Sequence, residues 1–491
     1  MHLTKDLYGT SLSLLTDLYQ ITMAYGYWKT GIVEKEAVFN LYFRKNPFQG
    51  GYTIACGLEY AIDFLKNLRF TQEDTAYLAT LTGNDGKPLF EKAFLDYLEN
   101  MRFTCDIDAV PEGTVIFPQE PLIRVRGPLI QGQLIETPLL NIMNFQTLIA
   151  TKSARITQAA KGADVFEFGL RRAQGIDGGL AASRAAYIGG CDGTSNVLAG
   201  KLFGIPVRGT HAHSWVMSFE NETEAFEKYA EALPNNCIFL VDTYDTINGV
   251  KYAIEVGHKL ESKGHKFAGI RLDSGDLAYL SIQARKLLDE AGFKDTNIIA
   301  SNDLDEHIIN SLNQQEAQID VWGIGTKLVT AYDQPALGGV YKIAAVRNNN
   351  GQWDYKVKLS EQAIKVSNPG ILQVRRFFTD EGQCIADMII DEDNKPQDEL
   401  VIVDPLDSTR RKTVSPTTKY KDLLQPIFSK GNLVYQTPDI HTIKETAKQS
   451  VQSLHNSILR FTNPHEYPVG LERGLHEMKT NLILKLRGVK K

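Results

Sequence analysis

The sequence is poor in cysteine, and the cysteines it has are scattered. Its 491 residues include five, with no C-x-x-C pair among them: Cys56, Cys105, Cys191, Cys237 and Cys384. An odd number at wide spacing argues against a disulfide framework and against a zinc site built from cysteine. This usage favours a reducing compartment, so we expect a cytoplasmic protein.

Long apolar runs and an excess of positive charge are also missing. No stretch approaches the about 18 consecutive apolar residues of a membrane span, and the opening MHLTKDLYGT lacks the apolar segment of a signal peptide. The formal net charge is −6, and no strongly basic segment offsets it. We therefore expect no membrane and no nucleic-acid partner, and an anionic substrate would have to be held by local positive charge.

The first part of the chain, residues 1–133, has the pattern of an α+β domain. Helices are predicted at 14–32 and 57–100, and strands at 36–45 and 103–130. The last part, residues 346–491, mixes strands with two amphipathic helical stretches. Between them, residues 134–345 follow a different pattern.

In residues 134–345, apolar runs alternate with helical stretches, as in parallel sheets with right-handed crossovers. The runs are ADVFEFG, IGGCDG, GIPVRG, CIFLVD, FAGIRLD, NIIASN and DVWGIG. Each run finishes in polar residues, which a parallel barrel would gather at one mouth. A doubly wound open sheet would concentrate such groups near one switch point instead. The pattern therefore predicts an α/β fold with a parallel barrel.

Two histidines lie two positions apart in VRGTHAHSWV, residues 207–216. If this stretch is a strand, His211 and His213 point the same way and could share a metal ion. Alternatively, one is a nucleophile or proton carrier while the other only packs, or the pair is a polar strand end without chemistry. A zinc site would need Asp242 or Asp273 as further ligands, because the later histidines do not fall at strand ends.

Other strand ends favour phosphate chemistry. The stretches DGTSN and GIGTK lead from glycine into predicted helices, where backbone N–H groups bind anions. Fixed positive charge comes from Arg171, Arg172, Arg208, Arg271 and Lys327. Mg²⁺ could be held through water by the nearby acids, which are Asp242, Asp245, Asp273 and Asp276. No Walker A loop is present, since position 202 in LAGKLFG is Leu where Ser or Thr is needed.

With these motifs assembled, the chain resembles the nicotinate phosphoribosyltransferase family. The similarity follows the family's order along nearly the whole chain, in LTDLYQITMAYGYW (15–28), EFGLRRAQG (167–175), GTSNVLAGKLFGIPVRGTHAHSW (193–215), VDTYDT (241–246), RLDSGDL (271–277), GIGTKLVTAYDQPALGGVYK (323–342) and NPHEYPV (463–469). The resemblance implies a type II phosphoribosyltransferase, with an irregular α/β barrel and an N-terminal open-faced sandwich. The C-terminal region would complete the sandwich and pack its helices on the barrel.

The activity that the resemblance implies joins nicotinate to phosphoribosyl pyrophosphate, giving nicotinate mononucleotide and pyrophosphate in NAD biosynthesis. ATP hydrolysis would accompany the transfer through a phosphorylated histidine, with Mg²⁺ as cofactor. The family motif G-T-x-A-H-S places that histidine at His213 and leaves His211 at the variable position. A homodimer with shared active sites is also implied.

The resemblance further implies roles for individual residues. Arg171, Gly325 and Thr326 would hold phosphates, while Asp242 and Asp273 would lie near ribose, pyrophosphate or Mg²⁺. The nicotinate-binding residues would be Tyr19 (supplied across a dimer interface), Phe168, Ser195, Thr210 and Arg271. Related nicotinamide enzymes carry Asp in the third position of their G-T-D-T stretch, where this chain has Ser195. Because an aspartate would repel a carboxylate, the serine favours nicotinate over nicotinamide.

Two other functions stay open on the sequence alone. A metal-dependent hydrolase using His211 and His213 would contain stoichiometric zinc, which elemental analysis would detect. A barrel that only senses nucleotides would not turn over labelled nicotinate. The histidine and the acids at the strand ends argue against such a sensor.

Overall fold

The computed structural model describes residues 9–394 and 399–489, which form two compact units. The sheet unit is Met1–Thr147, Ala336–Asp439 and Gln449–Lys491, and the barrel unit is Leu148–Pro335 and Ile440–Lys448. Both units are discontinuous in sequence. The division into 1–133, 134–345 and 346–491 stays a prediction.

The barrel unit is built on six parallel strands in the order β7-β6-β11-β10-β9-β8. The strands are β6 (Asp164–Glu167), β7 (Gly193–Thr194), β8 (Cys237–Leu240), β9 (Phe267–Leu272), β10 (Asn297–Asn302) and β11 (Val321–Ile324). The helices are α6 (Glu136–Ala159, which begins in the sheet unit), α7 (Gly175–Ile188), α8 (Val197–Phe203), α9 (His213–Val216), α10 (Glu222–Ala232), α11 (Thr246–Ser262), α12 (Leu277–Glu290), α13 (Glu306–Gln314), α14 (Thr326–Val329) and α15 (Ile440–Gln452, of which residues 440–448 belong here).

This arrangement confirms the predicted α/β fold with an irregular parallel barrel. Five of the seven apolar runs are strands, but two differ from the prediction. IGGCDG is mostly the end of α7 and a turn, so that only Gly193–Thr194 pairs, and GIPVRG contributes a single bridge from Val207 to Thr194. Both runs are rich in glycine, which weakens a strand and favours a bend.

Helix N-caps explain several polar residues at the strand ends. Asn221 accepts a hydrogen bond from the backbone N–H of Glu224 at the start of α10. Asp245, Asp276 and Asp305 accept in the same way at the starts of α11, α12 and α13. These caps satisfy backbone donors that the first turn of a helix leaves without partners. The helices α11, α12 and α13 therefore begin within a few residues of the strands β8, β9 and β10.

The sheet unit contains three sheets. A seven-stranded antiparallel sheet has the order β13-β12-β1-β5-β3-β19-β20, a six-stranded mixed sheet has the order β17-β16-β21-β15-β14-β18, and β2 pairs with β4. The strands are β1 (Glu36–Phe43), β2 (Thr53–Ile54), β3 (Asp106–Ala109), β4 (Val115–Ile116), β5 (Ile123–Pro128), β12 (Gly339–Arg347), β13 (Trp353–Tyr355), β14 (Leu372–Phe378), β15 (Cys384–Asp391), β16 (Leu400–Val403), β17 (Arg411–Val414), β18 (Tyr420–Asp422), β19 (Gln425–Ser429), β20 (Asn432–Leu433) and β21 (Val469–Glu472).

The sheet unit contains six helices, which are α1 (Leu18–Lys29), α2 (Leu58–Asn67), α3 (Gln72–Ala79), α4 (Lys92–Asn100), α5 (Leu129–Leu134) and α16 (Arg473–Leu486). Four of them (α1, α3, α4 and α5) share one hydrophobic cluster. Ile21 and Ala24 of α1 pack with Phe94 and Leu98 of α4 and with Ile130 of α5. Strands from residues 339–355 and 425–433 join the N-terminal strands in one sheet, so the sandwich is completed by distant sequence.

Within the described residues, no helix combines the length and the apolar character needed to cross a membrane. No disulfide joins the five cysteines, all of which lie in that part of the chain. The cytoplasmic location stays a prediction.

Candidate active site

A cavity of about 500 Å³ lies at the carboxyl ends of the barrel strands β6, β9, β10 and β11. It is lined by eight residues that the sequence predicts as ligands of substrate or phosphate: Phe168, Arg171, Ser195, Thr210, Arg271, Asp273, Gly325 and Thr326. These residues come from positions up to 158 apart in sequence, from Phe168 to Thr326. The barrel therefore brings together side chains that are far apart along the chain.

Arg271 is the central cation of the cavity. Its Nη1 donates a hydrogen bond to Thr210 Oγ1, and its Nε is buried without a hydrogen-bond partner in the described structure. Burial, with a contribution from Arg171, lowers the pKa of Arg271 from its ordinary value, while Asp273 and Asp242 act in the opposite direction. A guanidinium stays charged at neutral pH, so the cavity offers a desolvated cation with an unused donor.

Phe168 also lines this cavity. A Cβ added to Gly323 of β11 would come within 2.8 Å of the Phe168 ring, so the absence of a side chain there makes room for it. Ser195 also lines the cavity. An aromatic ring, a hydroxyl and a guanidinium thus face one space.

His213 lies beside two carboxylates at the start of α9. Its Nδ1 is 3.1 Å from Thr243 Oγ1, and its Nε2 is 3.8 Å from Asp273 Oδ2 and 4.0 Å from Asp242 Oδ1. The His213 side chain is 38% exposed. The ring is thus oriented by a hydrogen bond at one nitrogen and accessible at the other.

His211 has a different environment. It is buried, its Nε2 accepts a hydrogen bond from the backbone N–H of Leu240 at 3.2 Å, and its ring centroid is 4.9 Å from that of Tyr229. Burial lowers the pKa of His211 to about 4, so the imidazole is neutral at physiological pH. The described residues contain no cluster of three or more His, Cys, Asp or Glu side chains suited to a metal ion. The two histidines therefore differ in environment, since His211 is buried with its Nε2 used by a backbone N–H while His213 is partly exposed.

The four candidate acids divide into two pairs. Asp242 Oδ2 accepts hydrogen bonds from the backbone N–H of Asp273 at 2.9 Å and from Ser274 Oγ at 2.6 Å. Asp273 Oδ1 accepts a hydrogen bond from Ser301 Oγ at 2.5 Å. Asp245 and Asp276 each use Oδ1 as a helix N-cap. The prediction that the four acids could hold Mg²⁺ stays a prediction.

The five candidate cations also divide. Arg171, Arg172 and Arg271 line the cavity. Lys327 does not, because its Nζ lies 2.7 Å from Asp305 Oδ2, the cap of α13. Arg208 is exposed and donates to the carbonyl of Val207. Three of the five cations therefore supply positive charge to the cavity, whereas Lys327 forms an ion pair with Asp305.

Sequence reasoning missed a buried support for the cavity wall, Glu167 at the end of β6. Glu167 is fully buried, and one carboxylate oxygen accepts from the backbone N–H of Gly169. The other accepts from Ser183 Oγ at 2.8 Å and from Thr194 Oγ1 at 2.6 Å. One side chain thus holds the segments that carry Phe168 and Ser195. A glutamate at the end of an apolar run is the only sequence signal for it.

Sequence reasoning also assigned no ligand role to the end of β10. Ser301, Asn302 and Asp303 line the cavity. The SND triplet stands out in sequence as a polar strand end, which is the signal that could have identified it.

Comparison with known proteins identifies the family. Profiles of the nicotinate phosphoribosyltransferase N-terminal domain, of the family itself and of its C-terminal domain match residues 14–144, 164–363 and 372–479. The chain belongs to the nicotinate phosphoribosyltransferase family.

Individual relatives agree with these profiles over almost the full length. Nicotinate phosphoribosyltransferase of Bacillus subtilis (strain 168) is 46% identical over 491 residues, covering 96% of this chain and 97% of that protein. Its counterpart in Caenorhabditis elegans is 38% identical over 534 residues, covering 96% and 93%. The crystal structure of human nicotinic acid phosphoribosyltransferase matches with a TM-score of 0.83 and 32% identity, covering 95% of this chain and 99% of the human one.

Tyr19 is the one residue of the predicted nicotinate phosphoribosyltransferase site that belongs to the sheet unit. It lies on α1, is 49% exposed and does not line the cavity of the barrel unit. His213 and Asp242 are also outside the cavity lining but lie against Asp273, which is part of it.

Proposed function

We propose that this protein transfers the phosphoribosyl group of phosphoribosyl pyrophosphate to nicotinate, with ATP hydrolysis coupled through a phosphorylated His213. In the transfer, the bond from the ribosyl anomeric carbon to pyrophosphate breaks and a bond to the pyridine nitrogen forms, while pyrophosphate leaves with the electron pair. The observation that carries the proposal is the single cavity in which Arg271, Arg171 and Phe168 converge in a chain of this family.

The nicotinate end of the cavity follows from Arg271. Its planar guanidinium can pair with a carboxylate at two points, and the buried Nε without a partner is a donor that such a carboxylate would satisfy. Thr210, already bonded to Arg271, fixes the direction of the fork. Phe168 offers a ring face to the pyridine, and Ser195 adds no negative charge that would repel the acid.

Phosphates would be held by Arg171 and by the backbone at Gly325 and Thr326. Gly325 precedes α14, and it lines the cavity together with Thr326 and Arg171. The displacement passes through an oxocarbenium-like state, so these groups act mainly by positioning the two substrates and balancing their charge.

The acids Asp242 and Asp273 fit a Mg²⁺ ion that is shared with substrate phosphates. Asp242 Oδ1 is buried and has no hydrogen-bond partner in the described structure. The ion-pair contact of Asp273 Oδ2 among the described residues is with His213 Nε2, at 3.8 Å. Mg²⁺ is typically bound by one or two carboxylates, with water and phosphates completing its shell. When bound, it neutralises charge on the leaving pyrophosphate. Two carboxylates, as present here, are therefore enough protein ligands for a Mg²⁺ ion.

The phosphohistidine role of His213 rests on the asymmetry of its ring. Thr243 holds Nδ1, which leaves Nε2 to attack the terminal phosphorus of ATP while the bond to ADP breaks. Asp242 and Asp273 near Nε2 would repel a phosphoryl group on that atom, which is a second reason to expect a cation between them.

We also propose a homodimer in which Tyr19 of the partner subunit stacks on the nicotinate ring. In the barrel unit, α7 and α8 expose a group of large apolar side chains, namely Ile176, Val197, Leu198 and Leu202, of which Val197 is 71% exposed. Exposed apolar side chains grouped in this way are typical of a protein interface. Tyr19 itself is half exposed on α1.

The experiment that tests the function is turnover of labelled nicotinate. Purified protein with phosphoribosyl pyrophosphate and Mg²⁺ should form labelled mononucleotide and an equal amount of pyrophosphate, and ATP should stimulate the reaction. Nicotinamide serves as the matched substrate control and should react far more slowly. Binding of nucleotides without any turnover would instead support the sensing module.

A further inference from the structure

A second cavity, of about 750 Å³, lies entirely within the sheet unit. Its walls come from the segment after β1, the loop after β4, the loop between β16 and β17, and the stretch before β21. Its charged side chains are Arg44, Lys45, Asp404, Arg410, Arg411, Lys412 and Glu466, five cations and two carboxylates. The lining is therefore strongly positive in a protein whose net charge is −6.

Both carboxylates are engaged by the same cation. Arg410 lies 3.3 Å from Asp404 Oδ2 and 3.3 Å from Glu466 Oε2. Across residues 9–394 and 399–489, no carboxylate comes within ion-pair distance of the other four cations, which are Arg44, Lys45, Arg411 and Lys412. Among the described residues, four of the five lining cations are thus not paired with a carboxylate, and the lining keeps a net positive charge.

Several of these cations are only partly satisfied. Lys412 is half-buried, and its Nζ donates to the carbonyl of Ile385 at 3.1 Å. Burial lowers the pKa of Lys412 from its ordinary value. Arg44 Nε is buried without a partner, while Arg411 Nε donates to the carbonyl of Ser408. Arg44 and Lys412 are partly removed from water without a paired carboxylate, which costs free energy that an anion in the cavity would offset. Lys45 and Arg411 are exposed.

Apolar surface borders the charged part of the cavity. Pro118, Ile364, Leu406 and Pro464 contribute to the lining. Gln119 on the same wall adopts a left-handed backbone with φ of 73°, held by its N–H to the carbonyl of Phe43 at 2.8 Å. Such strain in a residue other than glycine is typical of functional positions. A ligand for this cavity therefore has an anionic part and a compact apolar or planar part.

We propose that the cavity of the sheet unit binds an organic phosphate of nucleotide type, with its phosphates at Lys45, Arg411 and Lys412. All its lining residues belong to the sheet unit, whereas the candidate active site is lined by residues of the barrel unit. The site is thus a second ligand site in the chain. The proposal does not rest on the transferase reaction.

The test is photolabelling of the intact protein with 8-azido-ATP, followed by mapping of the labelled peptides. We expect label in peptides that contain residues 402–412 or 464–469, in addition to label in peptides of the barrel unit. Excess ATP should suppress both. Label confined to the barrel unit in the wild type would overturn the proposal.

Variants that remove positive charge from the cavity then test which cations contact the phosphates of the bound nucleotide. The double variant Arg411→Gln/Lys412→Gln should lower labelling of the sheet-unit peptides at least about tenfold, since each charge-assisted contact contributes about a factor of ten or more. Lys421→Gln is the matched control, because Lys421 is an exposed cation in the same sheet that does not line the cavity. It should leave the labelling unchanged.

A variant at an exposed position distinguishes the loss of a phosphate contact from misfolding of the double variant. Lys45 is exposed, so Lys45→Ala should fold normally and still lower the sheet-unit label, while nicotinate turnover stays at the wild-type rate. Unchanged label in both Lys45→Ala and the double variant would show that these cations hold no phosphate. Sheet-unit label without any barrel-unit label would support this site and count against the proposed role of ATP at His213.

Discussion

At the scale of single residues, the two histidines of THAHSW show how far neighbours in sequence can differ in chemistry. The His211 ring is buried against Tyr229 and accepts a backbone hydrogen bond from Leu240, so it supports β8. The His213 ring is partly exposed beside Asp242 and Asp273. One therefore stabilises the barrel, and the other is available for reaction.

Replacing each histidine by alanine should separate these roles. His213→Ala should abolish ATP hydrolysis and the stimulation by ATP, while a slow transfer without ATP survives because the substrates are still positioned. His211→Ala should keep ATP hydrolysis but lower the free energy of unfolding by about 1–3 kcal/mol, since the N–H of Leu240 loses its acceptor. The measurement is acid-labile label from γ-labelled ATP, with thermal unfolding as the second readout.

Label that persists in His213→Ala and vanishes in His211→Ala would reverse the assignment. Equal loss in both variants, together with zinc found by elemental analysis, would restore a metal role for the pair.

A second prediction concerns the geometry of Arg271. Arg271→Lys keeps the positive charge but loses the planar fork, so KM for nicotinate should rise by about tenfold or more while KM for phosphoribosyl pyrophosphate changes little. The control is Arg208→Lys, an exposed strand-end arginine that does not line the cavity. Steady-state kinetics with each substrate varied in turn provide the measurement. Equal losses for both substrates would show that Arg271 is mainly a phosphate ligand.

At the scale of elements, Glu167 connects the end of β6 to α7 and β7. Glu167→Gln keeps the volume but puts an amide donor among three existing donors, which are Gly169 N–H, Ser183 Oγ and Thr194 Oγ1. KM for both substrates should therefore rise together, because the segments bearing Arg171 and Ser195 both shift. Stability should fall by about 1.5–3 kcal/mol, the usual contribution of hydrogen bonds to a charged group.

Ser183→Ala is the graded control for this prediction, since it removes one of the three bonds and should give the smaller effect on the same two readouts. Glu167→Gln kinetics indistinguishable from the wild type would mean that the cavity wall holds its shape without the carboxylate.

At the scale of the whole molecule, the stability of the barrel unit depends on a buried ion cluster. Glu306 lies 2.7 Å from Lys152 Nζ and 2.8 Å from Arg155 Nε, and all three side chains are almost fully buried. Burial alone would raise the pKa of Glu306, but Lys152 and Arg155 outweigh it and hold that pKa below its ordinary value of 4.5. The folded state therefore favours the ionised carboxylate.

The pH dependence follows from that direction. A carboxyl whose pKa is lowered by folding contributes stability above its unfolded pKa, and the contribution is lost as the pH falls through the folded pKa. Glu306→Gln should cost about 3–5 kcal/mol at neutral pH, because two buried cations lose the carboxylate that they share, although Lys152 keeps its pair with Asp333. The difference in thermal stability from the wild type should shrink once the pH falls below 4.5.

Glu227→Gln is the comparison for this prediction, since Glu227 pairs with Lys259 at the surface and should change stability by at most about 1 kcal/mol. A Glu306→Gln defect of equal size at pH 7 and pH 3 would show that the loss is one of packing rather than of charge.

The proposed dimer is a second property of the whole molecule. If Tyr19 of the partner subunit completes each site, Tyr19→Ala and His213→Ala chains should complement one another when mixed. Half of the randomly formed dimers are then mixed, and each carries one site with both groups intact, so about one quarter of the ATP-stimulated activity should return. Absence of any recovery, with mixed dimers shown by mass spectrometry, would place Tyr19 outside the neighbouring site.

The sequence alone determined the class of the barrel and the region of its site. Apolar runs such as CIFLVD and FAGIRLD alternate with helical stretches, and local hydrophobic patterning is enough to decide strand or helix. Polar residues at the ends of those runs predicted where the cavity would be, because the carboxyl ends of parallel strands meet at one mouth. The family motif also singled out His213 from residues that are adjacent in sequence.

Only the tertiary structure decided which polar residues face the cavity. Asp242 and Asp245 are alike in sequence, as are Asp273 and Asp276, yet Asp273 lines the cavity with Asp242 bonded to its backbone, while Asp245 and Asp276 cap helices. Glu167, Lys327 and His211 likewise proved to be supports because of partners that are 16 to 29 residues away. The physical reason is that side-chain direction depends on strand pairing and on where each helix begins, and both are set by contacts between distant segments.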